Sequence, residues 1–246
     1  MAIAVGIWQV VVWSGWREPY AFPPPLGVFR TLVSLLGSGR LWETLAVTAR
    51  RAVTGYALAV LVGWLIGVAV ARVRVLRVAV GSMITGLQTM PSIAWVPLAV
   101  LLFGLSEQAI TFVVVLGAAP SVANGIISGV DHVPPILLRA GRMMGARGLD
   151  LYRHVVVPAA LPACIAGLKQ GWAFAWRSLM AGELLGIIAA KPSLGASLQF
   201  ARELSDAEAL MAYMIVILAI GIVVDAVFTK VDVRLRTRRG LVEASS

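Results

Sequence analysis

Long apolar segments constrain this chain more than any other feature. A hydrocarbon core of ~30 Å takes roughly 20 helical residues to cross. Six stretches read as spans: 2–16, 52–71, 78–103, 109–130, 159–188 and 209–228. Of the 246 residues, 59% are apolar and 13% charged, against ~45–50% and ~25% in an average soluble domain. A soluble fold of this size could not bury so much hydrocarbon. One cysteine, Cys164, supports no disulfide framework, and with only His132 and His154 beside it there is no zinc cluster. The chain reads as an all-α integral membrane protein of six transmembrane helices.

The first stretch is short for a full crossing. It lacks a basic leader and a small-residue cleavage site, so it reads as a span that borrows flanking residues or begins upstream, rather than as a signal peptide. The net charge of +9 lies between apolar runs rather than along one face, which points to membrane topology and away from nucleic acid. With both termini in the cytoplasm, twelve Lys and Arg fall inside and seven outside, with Arg50 and Arg51 in the outside set. That orientation satisfies the positive-inside rule.

Three segments follow: an N-terminal span with an external interfacial stretch (1–40), a transmembrane domain (41–229) and a basic cytoplasmic tail (230–246). Pro23, Pro24 and Pro25 stop the first span, and the apolar stretch after them reads as a short helix in the outer interface. Gly55, Ala59, Gly63, Gly67 and Ala71 recur every four residues, aligning on one helix face. Tight packing is the simpler meaning of that stripe, and sliding against a partner the alternative. Pro91, Pro97 and Pro120 predict bends within the third and fourth spans. Ser205-x-x-Glu208 has the form of a capping box before the last span. No internal repeat is visible.

The longest inside loop, 131–158, is patterned. Pro134-Pro135 opens a helix, and Ile136, Leu137, Ala140, Met143 and Met144 gather on one face with Arg139 and Arg142 on the other. Gly145 ends it, and Asp150 is placed to cap a second short helix before Pro158 opens the fifth span. Such a helix can dock into a groove on a cytoplasmic partner, with methionine as an adaptable contact, or lie on lipid.

Ionisable groups at membrane depth are costly, and the fifth span holds Lys169, Arg177 and Glu183. Lys169 and Arg177 project within about 80° of each other, and Glu183 lies further round the helix. Lys169 can snorkel to the inner interface. Arg177 either lines a translocation path for an anion, which a guanidinium fork suits, or pairs with Glu183 or Asp225. Gln88, Asn124 and Gln170 can bond between helices or to solute, and Trp95, Trp172 and Trp176 read first as packing or interfacial anchors.

Several chemistries find no motif. There is no G-x-x-x-x-G-K-[ST] loop for ATP, no G-x-S-x-G elbow and no H-E-x-x-H helix. The chain carries no cofactor or catalytic motif of its own.

Residues 139–158 read R-A-G-R-M-M-G-A-R-G-L-D-L-Y-R-H-V-V-V-P. This resembles the E-A-A-x-x-x-G loop of bacterial ABC importer permeases, which closes nine residues later on I-x-L-P. Ala140, Gly145 and Pro158 match at the required spacing, Val155 and Val157 are apolar substitutes, and Arg139 and Gly141 replace the acidic residue and second alanine. Over 41–229 the likeness narrows to the nitrate, sulfonate and taurine branch. It is carried by Pro91, Ala94, Trp95, Pro97 and Leu98 before Phe103-Gly104, by Pro158-Ala159-Ala160-Leu161-Pro162, by Ala175-Trp176 and Glu183, and by Leu194-Gly195 and Asp225. Ser193 stands where a glycine is usual.

The resemblance implies a type I ABC importer permease fold in the cytoplasmic membrane and ATP-driven import of a small solute, an anion such as nitrate, sulfonate or taurine. It implies a homodimeric permease pair, two ATP-binding subunits that hold ATP and Mg, and an external substrate-binding protein. Ile136 to Gly145 and Pro158 become the ATPase-coupling loop, and Gln88, Trp95, Arg177 and Glu183 the expected translocation path. An ion-coupled carrier using Arg177, Glu183 and Asp225 as relay groups is the main alternative. A membrane enzyme acting on lipid is the remoter one.

Overall fold

A computed structural model describes residues 2–16, 18, 20–185 and 191–238. It is helical throughout, with no strand among the described residues. In order, the helices are α1 (Ala2–Trp13), α2 (Pro25–Gly37), α3 (Gly39–Arg72), α4 (Arg74–Thr89), α5 (Val96–Phe103), α6 (Glu107–Asp131), α7 (Pro135–Met143), α8 (Leu149–Leu151), α9 (Val157–Leu184), α10 (Leu194–Glu203) and α11 (Ala207–Arg238). A π turn over Tyr152–Val156 joins α8 to α9, so the run Leu149–Leu184 is 36 residues long.

Among the described residues four helices are long and apolar enough to cross a membrane: α3, α6, the α8–α9 run and α11. A fifth crossing exists only if Gly81–Thr89 and Ser92–Phe103, bent by 102° at their junction, count as one. The expected first span is not of crossing length, since α1 has 12 residues, about 18 Å at ~1.5 Å each. The second span begins well before position 52, because the helix starts at Gly39 and carries Arg50 and Arg51 within it. The expected end of the fifth span at Ile188, and the tail from 239 onward, lie outside the described residues.

The centre of the bundle is α6, flanked by α3 and α9. Its Val113, Val114, Ala118 and Ala123 are fully buried. Small residues set the approach of its neighbours. The stripe on α3 faces α6, where a Cβ on Gly63 would fall 2.6 Å from the Ala119 carbonyl oxygen and one on Gly67 3.0 Å from that of Ala123. On the other side Gly125 and Gly167 meet face to face, each missing Cβ 2.6 Å from the other's Cα. Close backbone approach of this kind drives helix association in lipid, where apolar side chains gain nothing by leaving the hydrocarbon.

The prolines behave differently according to their surroundings. α6 runs unbroken through Pro120, which is buried. Pro91 breaks the third span: α4 stops at Thr89, Met90 and Pro91 are extended, and a 3-10 turn over Ser92–Trp95 leads into α5. A residue before proline avoids the helical region, which fixes the break at Met90. Pro97 then sits in the first turn of α5, where its missing N–H costs nothing.

Two caps differ from expectation. The last helix is capped by Asp206, whose Oδ1 accepts from the Ala209 amide at 3.0 Å, while Ser205 is a left-handed residue with φ 56°. Glu208 is taken by α2 instead, accepting from the Thr31 hydroxyl at 3.0 Å. Asp150 lies inside α8, which is preceded by Gly148.

Candidate functional site

Three groups of residues carry the features a transport role would need. The first is the loop helix α7. Its C-terminus closes as the sequence predicts: the Gly145 amide donates to the Arg142 carbonyl and the Ala146 amide to that of Gly141, both at 3.0 Å, with Gly145 at φ 89°. This is the paired-bond stop that favours glycine at the left-handed position. Gly141 is buried, and a Cβ there would lie 2.8 Å from Val155 Cγ2 and 2.9 Å from Leu151 Cδ1. Glycine at this place in the loop therefore lets α7 press flat against the start of the α8–α9 run. The opposite side is left open. Ile136, Leu137, Met143 and Met144 are exposed, Met143 by 88%, together with Ala140, Arg139 and Arg142. Pro158 lies in the first turn of α9.

The second group is an ion cluster, buried at Arg51 and Glu183 and open to the surface at Lys191, that joins four helices. Arg51 on α3 grips Glu107, the first residue of α6, with a two-pronged fork: Nε to Oε2 at 2.8 Å and Nη2 to Oε1 at 2.9 Å. Its third nitrogen, Nη1, donates to Glu183 of α9 at 3.0 Å. Glu183 is 2% exposed and also accepts from the Thr48 hydroxyl and from the Gly195 amide in the first turn of α10. The Leu194 amide donates in turn to Thr48 Oγ1 at 3.0 Å, and Lys191 reaches Glu107 at 3.2 Å. Two carboxylates thus meet two cations and a helix N-terminus, so each negative group has a positive partner. A Cβ on Gly195 would collide with Glu183, so glycine is required there.

The third group lines the break in the third span. Gln88 donates to Ser121 of α6 at 3.0 Å, and Ser178 of α9 donates to Ser92 at 2.9 Å, so both sides of the break are pinned to the central helices. Beside it opens a cavity of about 370 Å³, with Gln88, Ser92, Phe174 and Arg177 among its lining. Arg177 Nε donates to its own helix at the Ala173 carbonyl, 3.1 Å away, and its guanidinium carbon stands 4.6 Å from the Phe174 ring centre.

The surface around this cavity is unlike the rest of the bundle. The exposed sides of α3 and α11 are greasy, with Val53, Leu61, Trp64 and Leu65 on one and Leu218, Ile222, Val223 and Val227 on the other. Through the middle of α9 the exposed residues are Ala166, Gln170, Ala173 and Arg177, and on α4 Ser82, Thr85, Gly86 and Thr89 stand out beside Met83. A charged residue facing lipid at depth costs ~2.5–3.5 kcal/mol even on insertion scales. Irregular backbone at that depth is tolerated only where it is covered by protein or lines a watery cavity. Both observations turn this face away from lipid.

The expected path residues therefore separate. Gln88 and Arg177 share the cavity. Trp95 is half-buried against the central apolar cluster. Glu183 is enclosed in the ion cluster, facing Arg51. Arg177 is paired with neither Glu183 nor Asp225: the latter meets Lys169 at 3.0 Å, and Lys169 also donates to Thr229 at 2.9 Å. The three groups of the relay alternative are thus held by separate partners. Arg51, Glu107, Thr48 and Lys191 belong to no motif that marks a site, although Thr44, Thr48 and Arg51 extend the three- and four-residue spacing of the stripe that follows them.

The family described as the binding-protein-dependent transport system inner membrane component matches residues 59–237. A provisionally named ABC transporter permease protein of Methanocaldococcus jannaschii is 32% identical over 91% of this chain and 84% of its own length. The taurine transport system permease protein of Escherichia coli is 28% identical over 99% and 89%. Relatives named for aliphatic sulfonates in Escherichia coli and bicarbonate in Synechococcus elongatus also match at 28% identity. Among solved structures, the methionine ABC transporter MetNI in inward-facing conformations shares the fold, with a TM-score of 0.58 and 22% identity over 79% of this chain and 93% of that one.

Proposed function

Because the chain belongs to the family of inner membrane components of binding-protein-dependent transport systems, the permease subunits of ABC importers, we propose that its two distinctive surfaces divide the work of alternating access. The chain is a non-catalytic transport subunit, and ATP hydrolysis takes place in a separate subunit. In this reading the exposed side of α7, with Ile136, Leu137, Met143 and Met144, seats in a groove of that ATP-binding subunit, where ATP and Mg are held. The polar face of α4 and α9, with Gln88 and Arg177, lines the path. Two copies of the chain and two ATP-binding subunits form the working unit, and an external binding protein delivers the solute. Both termini are cytoplasmic, as the excess of inside basic residues favours, which requires α1 to complete a further crossing together with the residues that flank it.

The solute is a small compound with an oxyanion group, of the kind named for the relatives (a sulfonate, taurine or bicarbonate), or nitrate. One observation carries the coupling role. α7 is fixed at its base through Gly141 and offers an unpartnered apolar side at its tip. An adaptable methionine surface on a rigid support transmits a push from a partner rather than absorbing it.

Co-expression with the ATP-binding subunit and reconstitution into liposomes with the binding protein tests the whole. ATP-dependent uptake of radiolabelled sulfonate or bicarbonate is expected. Uptake that runs without ATP and collapses with the ion gradient would instead establish an ion-coupled carrier.

A further inference from the structure

At the inner ends of the membrane helices, three cations are held by fixed partners. Arg77 meets Asp131 at 2.8 Å, Lys169 meets Asp225 at 3.0 Å, and the Arg72 guanidinium lies over the Tyr152 ring, 5.9 Å from its centre. Lys230 and Arg234 on α11 differ. Both are exposed, and neither meets a carboxylate among the described residues. Spaced one helical turn apart, they stand on the same side of the helix. Asp232 lies about 200° round the helix from Lys230 and lines the pocket beside Lys169 instead. Asp225, the other acid nearby, is taken by Lys169 and also accepts from the Thr229 hydroxyl at 3.5 Å.

From this pair an apolar groove of about 870 Å³ runs outward between α9 and α11 as far as Leu198 of α10. Leu218 and Ile222 form its wall on α11 and are 62% and 58% exposed, while Trp176 and Met180 line the α9 side. Gly221 deepens it. The nearest atom to its missing Cβ is the Trp176 Nε1 at 3.8 Å, so the indole makes the floor there. Lys230 lies about 14 Å from Gly221 along the axis at ~1.5 Å per residue, close to half of the ~30 Å hydrocarbon core. The groove therefore opens at its inner end on two uncompensated cations and reaches the indole one leaflet deeper.

We propose that this groove binds an anionic glycerophospholipid of the inner leaflet, with its phosphate on Lys230 and Arg234 and an acyl chain laid along Ala226, Ile222 and Leu218 to the Trp176 indole. The placement of Lys230 at the inner surface rests on the topology proposed above. Charge decides the occupant. Basic residues at a membrane surface strengthen the hold on anionic lipid by about fivefold each, and a furrow gives an acyl chain contacts on several sides that a convex helix surface does not. A second copy docking through the same face would do the opposite. A two-fold interface pairs a patch with itself, so it would set Lys230 and Arg234 against their own counterparts, like charge against like.

The test is native mass spectrometry of the delipidated full chain, alone and with the ATP-binding subunit, titrated with dioleoyl phosphatidylglycerol or dioleoyl phosphatidylcholine. The first phosphatidylglycerol is expected to bind about tenfold more tightly than the first phosphatidylcholine, or better. Lys230→Gln with Arg234→Gln should bring the two lipids close to equal. Ala226→Phe, which fills the furrow from an exposed position and keeps both charges, should weaken phosphatidylglycerol severalfold. Arg147→Gln with Arg153→Gln, also exposed on the inner side, should change neither. Equal binding of the two lipids by the parent, a Lys230 and Arg234 double variant that keeps the preference, or the same loss from the Arg147 and Arg153 changes overturns the site. Glycerol 3-phosphate that binds as tightly as the lipid would make this a plain anion site and overturn it too. So would a dimer that takes no lipid where the single chain does, since the second copy would then cover the groove. Maleimide labelling of Lys230→Cys in a Cys164→Ala background checks the topology separately. Labelling only from the external side would refute the topology and the inner leaflet with it, whereas a lost lipid preference strikes only the groove.

Discussion

Arg51 and Glu183 lie 132 positions apart and meet at 3.0 Å inside the bundle, with side chains 5% and 0% exposed. The pair ties α3 to α9, and through Glu107 and the Gly195 amide it also holds the start of α6 and α10. Removing one partner of a buried pair leaves the other charge stranded, which costs about 3–5 kcal/mol, whereas removing both with apolar replacements costs far less. Arg51→Met alone is therefore expected to lower the melting temperature of the detergent-solubilised protein sharply. Arg51→Met combined with Glu183→Leu should recover part of the loss. A double variant at least as unstable as the single one would show that the pair does not hold the helices.

Much of the architecture is legible in the sequence because lipid leaves few options. The fourth span, 109–130, matches α6 within two residues at its start and one at its end, since both flanks change from apolar to polar abruptly. The loop helix and its stop at Gly145 follow from proline, periodicity and glycine. The start of α3 is obscured for a physical reason. Its N-terminal half buries Thr44 and packs Thr48 and Arg51 against Glu183, with Thr48 also meeting the α10 N-terminus, so a hydropathy ruler takes a packed polar helix end for an outside loop. Pair assignments fail similarly. Glu183 and Arg177 share one helix, but the partner of each depends on which neighbour covers that side. No local pattern encodes that.

The crossing of α6 and α9 predicts opposite signs for two glycine substitutions. A Cβ on Gly167 would lie 2.6 Å from the Gly125 Cα, backbone that cannot yield without parting the helices. Gly167→Val should destabilise by about 1–3 kcal/mol or more, the usual cost of overpacking. Gly81, on α4, has open space around its missing Cβ, so Gly81→Ala should be neutral or stabilising by up to ~1 kcal/mol through helix propensity. Thermal unfolding in detergent compares them directly. A Gly167→Val protein as stable as the parent would mean that the contact is not as close as described.

The hydrogen bond between Ser178 and Ser92 fixes the broken helix to α9. Ser178 is fully buried, and the missing Cβ of Gly117 leaves the room its hydroxyl occupies. Ser178→Ala removes the donor while keeping the shape, so a loss of about 0.5–1.5 kcal/mol is expected. Ser178→Leu places bulk against Gly117 and should cost more than the alanine change. Denaturation monitored by tryptophan fluorescence would rank the two. An alanine variant worse than the leucine one would contradict the packing of the break.

The placement of α7 can be tested by labelling, because a tip residue exposed to 88% in the single chain has to change its accessibility when a partner arrives. Cys164 is the sole cysteine and is half-buried, so Cys164→Ala gives a silent background for Met143→Cys. In inside-out vesicles a membrane-impermeant maleimide should label position 143, and in intact right-side-out cells it should not. Adding the ATP-binding subunit should slow labelling at least tenfold, while a cysteine in place of the exposed Leu105, at the outer end of α6, should be labelled only in intact cells and be unaffected by the subunit. Labelling from the external side would reverse the orientation. Unchanged labelling in the presence of the subunit would remove α7 from the contact and leave the apolar tip without its proposed occupant.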